Sequence, residues 1–220
     1  MDDNVIQLLV LAGIALFLII RLKNVLGTRS GYEKPPVVEP AAQPARVRRD
    51  FEVIEGGPDR DITDHVDDGS PSAKALAAMK LSEPGFNVTE FVSGARGAYE
   101  MILMAFENGD LGPVQPFLGE DVYEAMLAVV SEREDKGLKV EANFIGVRET
   151  QLVEAEFDRA TEEAQVTLKF VGEMTSVVRD DEGGIIEGNP NEIKRVRDVW
   201  TFARIMGSDD PNWRLVATGG

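Results

Sequence analysis

The chain has 220 residues, with 39 Asp and Glu against 23 Lys and Arg, a formal net charge of −16 and no cysteine. The missing thiol excludes a disulfide framework, thiolate metal sites and a cysteine nucleophile. An acidic body of this kind repels phosphate backbones, so the expected partners do not include nucleic acid.

The first element is an apolar run, VIQLLVLAGIALFLII over residues 5–20, which carries no charge. As a helix it would cover about 24 Å, and Leu22, Val25 and Leu26 would extend it toward the ~30 Å hydrocarbon core of a bilayer. Met1-Asp2-Asp3-Asn4 precedes it without a Lys or Arg, whereas Arg21, Lys23 and Arg29 follow it. This asymmetry predicts an amino terminus outside and a carboxy-terminal body in the cytoplasm. A cleaved signal peptide needs a basic start and a small-residue cleavage site, and neither is present. The expectation is therefore a single-pass anchor over 1–27. Val5, Leu8, Leu11, Ile14, Phe17 and Ile20 would meet lipid tails, while Arg21, Lys23 and Arg29 would meet headgroups.

Residues 28–85 read as a linker rich in proline and acid, with few large apolar residues and thus no core of its own. Its first part is basic: Lys34, Arg46, Arg48 and Arg49 join Arg21, Lys23 and Arg29 against only Glu33 and Glu39. Such residues either attract an anionic leaflet, at about 1 kcal/mol each, or simply enforce topology. Phe51, Val53 and Ile54 form one small apolar cluster. A short helix is expected near 73–81, capped by Ser70 and closed by Pro84-Gly85. It has three possible homes: the domain, the bilayer or a partner.

A compact domain is expected over 86–220. Asn87 and Glu90 have capping-box spacing, and Phe91, Ala95, Ala98, Ile102 and Ala105 recur at helical intervals up to Gly109. A second helix is expected over 121–136, with Val122, Met126, Val129 and Val130 as its stripe and Gly137 as its stop. Beyond Leu138 the period becomes two. Strands are expected over 143–157 with a bend, 164–178 and 195–206, and in a last segment carrying Trp213, Leu215 and Ala217. Helices followed by consecutive strands predict an α+β fold with two helices packed on a curved antiparallel sheet. Such an arrangement often leaves a conical apolar pocket.

The closing segment DVWTFARIMGSDDPNWRLVATGG, together with FVSGARGAYEMILMAFENGDL and FLGEDVYEAM upstream, resembles the Tim-forty-four-like (Tim44-like) domain family over about 86–220. The resemblance implies a cystatin-like, nuclear-transport-factor-two-like fold. It further implies a non-catalytic adaptor on the inner face of an inner membrane, with chaperones or translocation components as protein partners. The mitochondrial scaffolds of that family attach peripherally and are basic. An acidic domain behind its own apolar run fits a bacterial member, and residues 28–82 contain no segment alignable with their chaperone-recruiting region.

No P-loop, GxSxG or HExxH pattern occurs. His65 is the sole histidine, and with Asp67 and Asp68 it makes only a weak metal set. The expectation is a protein with no metal, cofactor or catalytic residues. Phe106, Phe117, Met126, Leu168, Phe170, Trp200 and Phe202 are the candidate pocket residues, although residues of this type are more often core. Asp198 lies in register with Trp200 and so could face inward as the base of an isomerase or dehydratase. Its more ordinary expectation is a solvated strand-end residue paired with Arg204 or Arg214. The alternative function is accordingly a carrier of, or enzyme acting on, a hydrophobic small molecule.

Overall fold

The computed structural model describes residues 57–219. The predicted anchor, the basic stretch and the cluster at Phe51, Val53 and Ile54 lie outside the described residues. Among the described residues no helix is long and apolar enough to cross a membrane.

The compact body starts well before Phe86. Helix α1 (Arg60–Thr63) is a single turn capped by Asp59, and it buries Ile62. Helix α2 (Pro71–Ser82) begins with the Ser70 hydroxyl accepting the Ala73 amide at 3.1 Å, with proline in its first turn. Leu76 and Met79, one turn apart, are fully buried. The Ser72 hydroxyl accepts the Ala155 amide at 3.1 Å, tying this helix to the sheet. The expected linker therefore stops short of these residues. Its apolar stripe is too brief to announce a core alone, because the surface it covers belongs to a strand some eighty residues later.

Helix α3 (Val88–Asn108) has two caps at its start. Asn87 accepts the Glu90 amide at 2.8 Å, and the Asp61 carboxylate accepts the Val88 and Thr89 amides at 2.8 and 2.9 Å. Gly109 ends the helix in the left-handed conformation (φ 76°), as its position predicts. Phe91, Ala95, Tyr99 and Ile102 form the buried stripe. A 3₁₀ segment (Gly112–Phe117) leads to helix α4 (Glu120–Asp135), which buries Val122 and Val130 but leaves Val129 exposed.

Strands β1 (Lys139–Asp158), β2 (Glu163–Arg179), β4 (Lys194–Ile205) and β5 (Arg214–Gly219) form an antiparallel sheet in the order β1-β2-β4-β5; β3 (Ile185–Gly188) pairs with the end of β2. Three irregularities in the β1–β2 register, between Phe144 and Gly146, Val147 and Glu149, and Leu152 and Glu154, bend the long ribbon. On β2, Ala164, Val166, Leu168 and Phe170 are all buried on one face, opposite Phe202 and Trp200 of β4. The fold is thus α+β with a curved antiparallel sheet, as expected. Helix α2, expected near 73–81 with its home left open between domain, bilayer and partner, packs on the domain and covers the β1 side.

The last strand departs from simple alternation. Leu215 opposes Phe202 and is fully buried, but a register irregularity then places Ala217 opposite the outward Thr201 and Thr218 opposite Trp200. Ala217, one of the three residues expected to mark this strand, is therefore exposed beside Thr201, and Thr218, also exposed, shares the side of Trp200.

Candidate binding cavity

The inner face carries a ladder of rings. Phe91 contacts Trp213 (centroids 4.5 Å) and Phe202 (6.2 Å, edge-on). Further along α3, Tyr99 stacks on Phe170 at 4.5 Å with planes 13° apart and leans on Trp200 at 4.8 Å. Tyr99 is completely buried, so its hydroxyl needs a partner. That partner is Asp198, whose Oδ2 accepts the Tyr99 hydroxyl at 2.6 Å.

Asp198 also borders a cavity of about 390 Å³ between α3, α4 and the sheet. Leu103 and Phe106 of α3, Val122, Ala125, Met126 and Val129 of α4, and Trp200 of β4 supply apolar walls. Asp121 and Thr218 complete the lining. Arg133 lies over the Phe106 ring at 4.5 Å but does not line the cavity. Burial pushes the Asp198 carboxyl above its ordinary value, although the Tyr99 hydrogen bond opposes the shift. Burial first, and then the neighbouring carboxylate, push the Tyr99 phenol up as well. Tyr99 is therefore a neutral donor with its proton committed to Asp198.

Of the seven residues singled out by sequence, the structure brings Phe106, Met126 and Trp200 to the cavity. Leu168, Phe170 and Phe202 are buried core beneath it, and Phe117 packs against the core without lining it. Val122 and Val129, expected in the apolar stripe of the second helix, also line it, whereas Leu103, Asp121, Ala125 and Thr218 were not foreseen. Leu103 and Val129 lie at helical spacing from Phe106 and Met126, which is a usable signal; Thr218 reaches the wall only through the irregularity in β5. The expected pairing of Asp198 with Arg204 or Arg214 does not occur. Arg204 is bound to Glu83, which also accepts the Gly207 amide at 2.8 Å, and Arg214 reaches Asp210 at 3.2 Å. Asp198 sits mid-strand and turns inward by its alternation with Trp200, so neither arginine, further along β4 or on β5, is its partner.

His65 Nε2 lies 3.0 Å from the Thr89 hydroxyl, at the start of α3. Among the described residues no trio of His, Asp or Glu is placed to hold a metal ion.

Comparison with known proteins adds family evidence. The family model described as "Tim44-like domain" matches residues 72–220, beginning within α2. The human mitochondrial import inner membrane translocase subunit TIM44 is 23% identical over 168 residues, covering 71% of this chain and 36% of that protein. Subunit TIM44-1 of Arabidopsis thaliana is 21% identical over 150 residues, covering 66% and 31%. The chain thus spans about a third of the length of these relatives. The crystal structure of the intermembrane space region of chloroplast protein ARC6 aligns over 58% of this chain and 94% of its own, with TM-score 0.39 and 11% identity.

Proposed function

Because the chain belongs to the Tim44-like domain family, we propose that it is a membrane-associated, non-catalytic adaptor in protein translocation or membrane-protein assembly. The observation that carries this reading is the family match over 72–220 behind an apolar run at 5–20. The relatives' names place them at a mitochondrial inner-membrane translocase. In this reading the run anchors the chain in a bacterial inner membrane, the domain stands in the cytoplasm, and Arg21, Lys23 and Arg29 hold the headgroup region. The cavity between α3 and α4 is the surface where a protein partner docks, having apolar walls and few polar groups.

Two measurements test it. The full chain should stay with membranes in alkaline carbonate, and removing residues 1–27 should release it. A photo-crosslinking residue in place of Met126 should capture a reproducible protein partner in cells. Carbonate release of the full chain removes the anchor, and absence of any partner at the cavity removes the adaptor.

A second reading is favoured by Asp198, a half-buried carboxylate inside an apolar cavity. Such a group suits a carrier or an isomerase-type enzyme for a hydrophobic small molecule. Native mass spectrometry showing a stoichiometric bound small molecule, lost with D198N, supports this reading over the adaptor.

A further inference from the structure

The apolar walls of the cavity leave one charge unexplained. Elsewhere among the described residues, three sheltered carboxylates form ion pairs: Asp61 has Lys80 at 2.7 Å, Glu83 has Arg204, and Glu173 has Arg148 and Arg195 at 2.7 and 3.2 Å; Glu107, pushed up by burial, has Arg133 and Lys194 near enough to oppose that shift. Asp198 accepts only the neutral Tyr99 hydroxyl. None of the ten residues lining the cavity is Lys, Arg or His, and Asp121 brings a second carboxylate to the same wall. A carboxylate held against apolar surface without a counter-charge is unfavourable. A guest that supplies that charge relieves the cost.

We propose that this cavity receives a lysine side chain carried on an apolar segment of a protein partner. Its ammonium would sit on Asp198, with its methylene stem and neighbouring residues against Leu103, Phe106, Met126 and Trp200. The proposal rests on the adaptor reading and names what that adaptor recognises. Three features select this occupant. The site asks for a cation at the end of an apolar stem, which is the build of lysine. The net charge of −16 draws basic partners toward the domain. A lipid tail, by contrast, leaves Asp198 unanswered, and an anionic headgroup meets two carboxylates.

Calorimetric titration of the purified full chain with two synthetic peptides tests this. One is acetyl-Ser-Leu-Phe-Lys-Leu-Ser-amide; the other carries norleucine in place of lysine. The lysine peptide should bind at least about tenfold tighter, equivalent to ~1.4 kcal/mol. D198N should lower that ratio below about twofold, and M126W, which fills the cavity, should weaken binding of both peptides. Equal affinities, no binding of the lysine peptide, or a preference that survives D198N overturns the proposal. Should D198N not fold, NMR contacts between the peptide's lysine ε-methylene and the Trp200 indole decide in its place, their absence being equally fatal. Crosslinking from position 126 in cells separates the two readings. A reproducible protein partner combined with no lysine preference removes only this inference, whereas no partner removes the adaptor itself.

Discussion

The Asp61 carboxylate accepts the Val88 amide at 2.8 Å across 27 residues of chain. This single contact joins the turn of α1 to the start of α3. Lys80 of α2 approaches the same carboxylate at 2.7 Å, so one side chain gathers three helices. Burial opposes ionisation of Asp61, but the Lys80 ammonium and the Thr89 and Val88 amides outweigh it and hold the carboxyl well below the usual range.

Asp61→Ala should therefore cost about 1–2 kcal/mol in urea unfolding, the range of a lost helix cap. The pH dependence has a definite sign. A carboxyl depressed in the native state contributes its stability above the unfolded value, near 4, and loses it as pH falls toward the folded value. The gap between wild type and D61A should be full at pH 6 and shrink progressively below about pH 4. A gap that widens in acid contradicts the assignment.

Tyr99→Phe removes the one hydroxyl donor to Asp198 among the described residues. It should destabilise the domain by about 1–2 kcal/mol, because a half-buried carboxylate loses its partner. Carboxyl-carbon NMR should also find Asp198 titrating higher than in wild type, since the Tyr99 hydrogen bond is what opposes the upward push of burial. The stability consequence runs opposite to that of Asp61. With a folded value above the unfolded one, wild type loses stability relative to D198N as pH rises from the ordinary carboxyl value to the raised one.

Gly172 tolerates no side chain. A Cβ there would lie 2.9 Å from the Tyr99 hydroxyl oxygen, 3.2 Å from its ring and 3.4 Å from the Phe144 ring. Tyr99 is wedged between Phe170 and Trp200 and cannot retreat. G172A should cost about 1–3 kcal/mol through overpacking, read as a lower midpoint in thermal denaturation.

Two paired carboxylates should behave differently. Glu173→Ala frees Arg148 and Arg195, which are 67% and 63% exposed and simply return to water, so the loss should be the smaller of the two. Glu83→Ala strands Arg204, whose side chain is only 9% exposed, and should cost roughly 2 kcal/mol or more. Chemical denaturation of both variants checks the order; a larger loss at Glu173 reverses it.

Leu76→Ala should cost about 2–5 kcal/mol, as for a fully buried leucine. A chain starting at Phe86 should fail to unfold cooperatively, because it uncovers the inner surface of β1 that α2 shields. Differential scanning calorimetry of both variants gives the answer.

Much of this molecule is written in short stretches. Asn87 and Gly109 bracket α3, Ser70 starts α2, and the alternation along β2 and β4 sorts Phe170 and Trp200 inward, because caps and periodicities involve residues within one turn or one pleat of each other. What tertiary structure alone decided are the pairings between distant faces. The docking of α2 depends on a strand that comes much later. Thr218 lines the cavity because one irregularity in β5 shifts the pleat, and Asp198 meets Tyr99 across 99 residues. Alternation announces that an aspartate faces inward. Only the registers of the sheet, and the helix laid over it, determine whether it finds an arginine, a phenol or an open cavity.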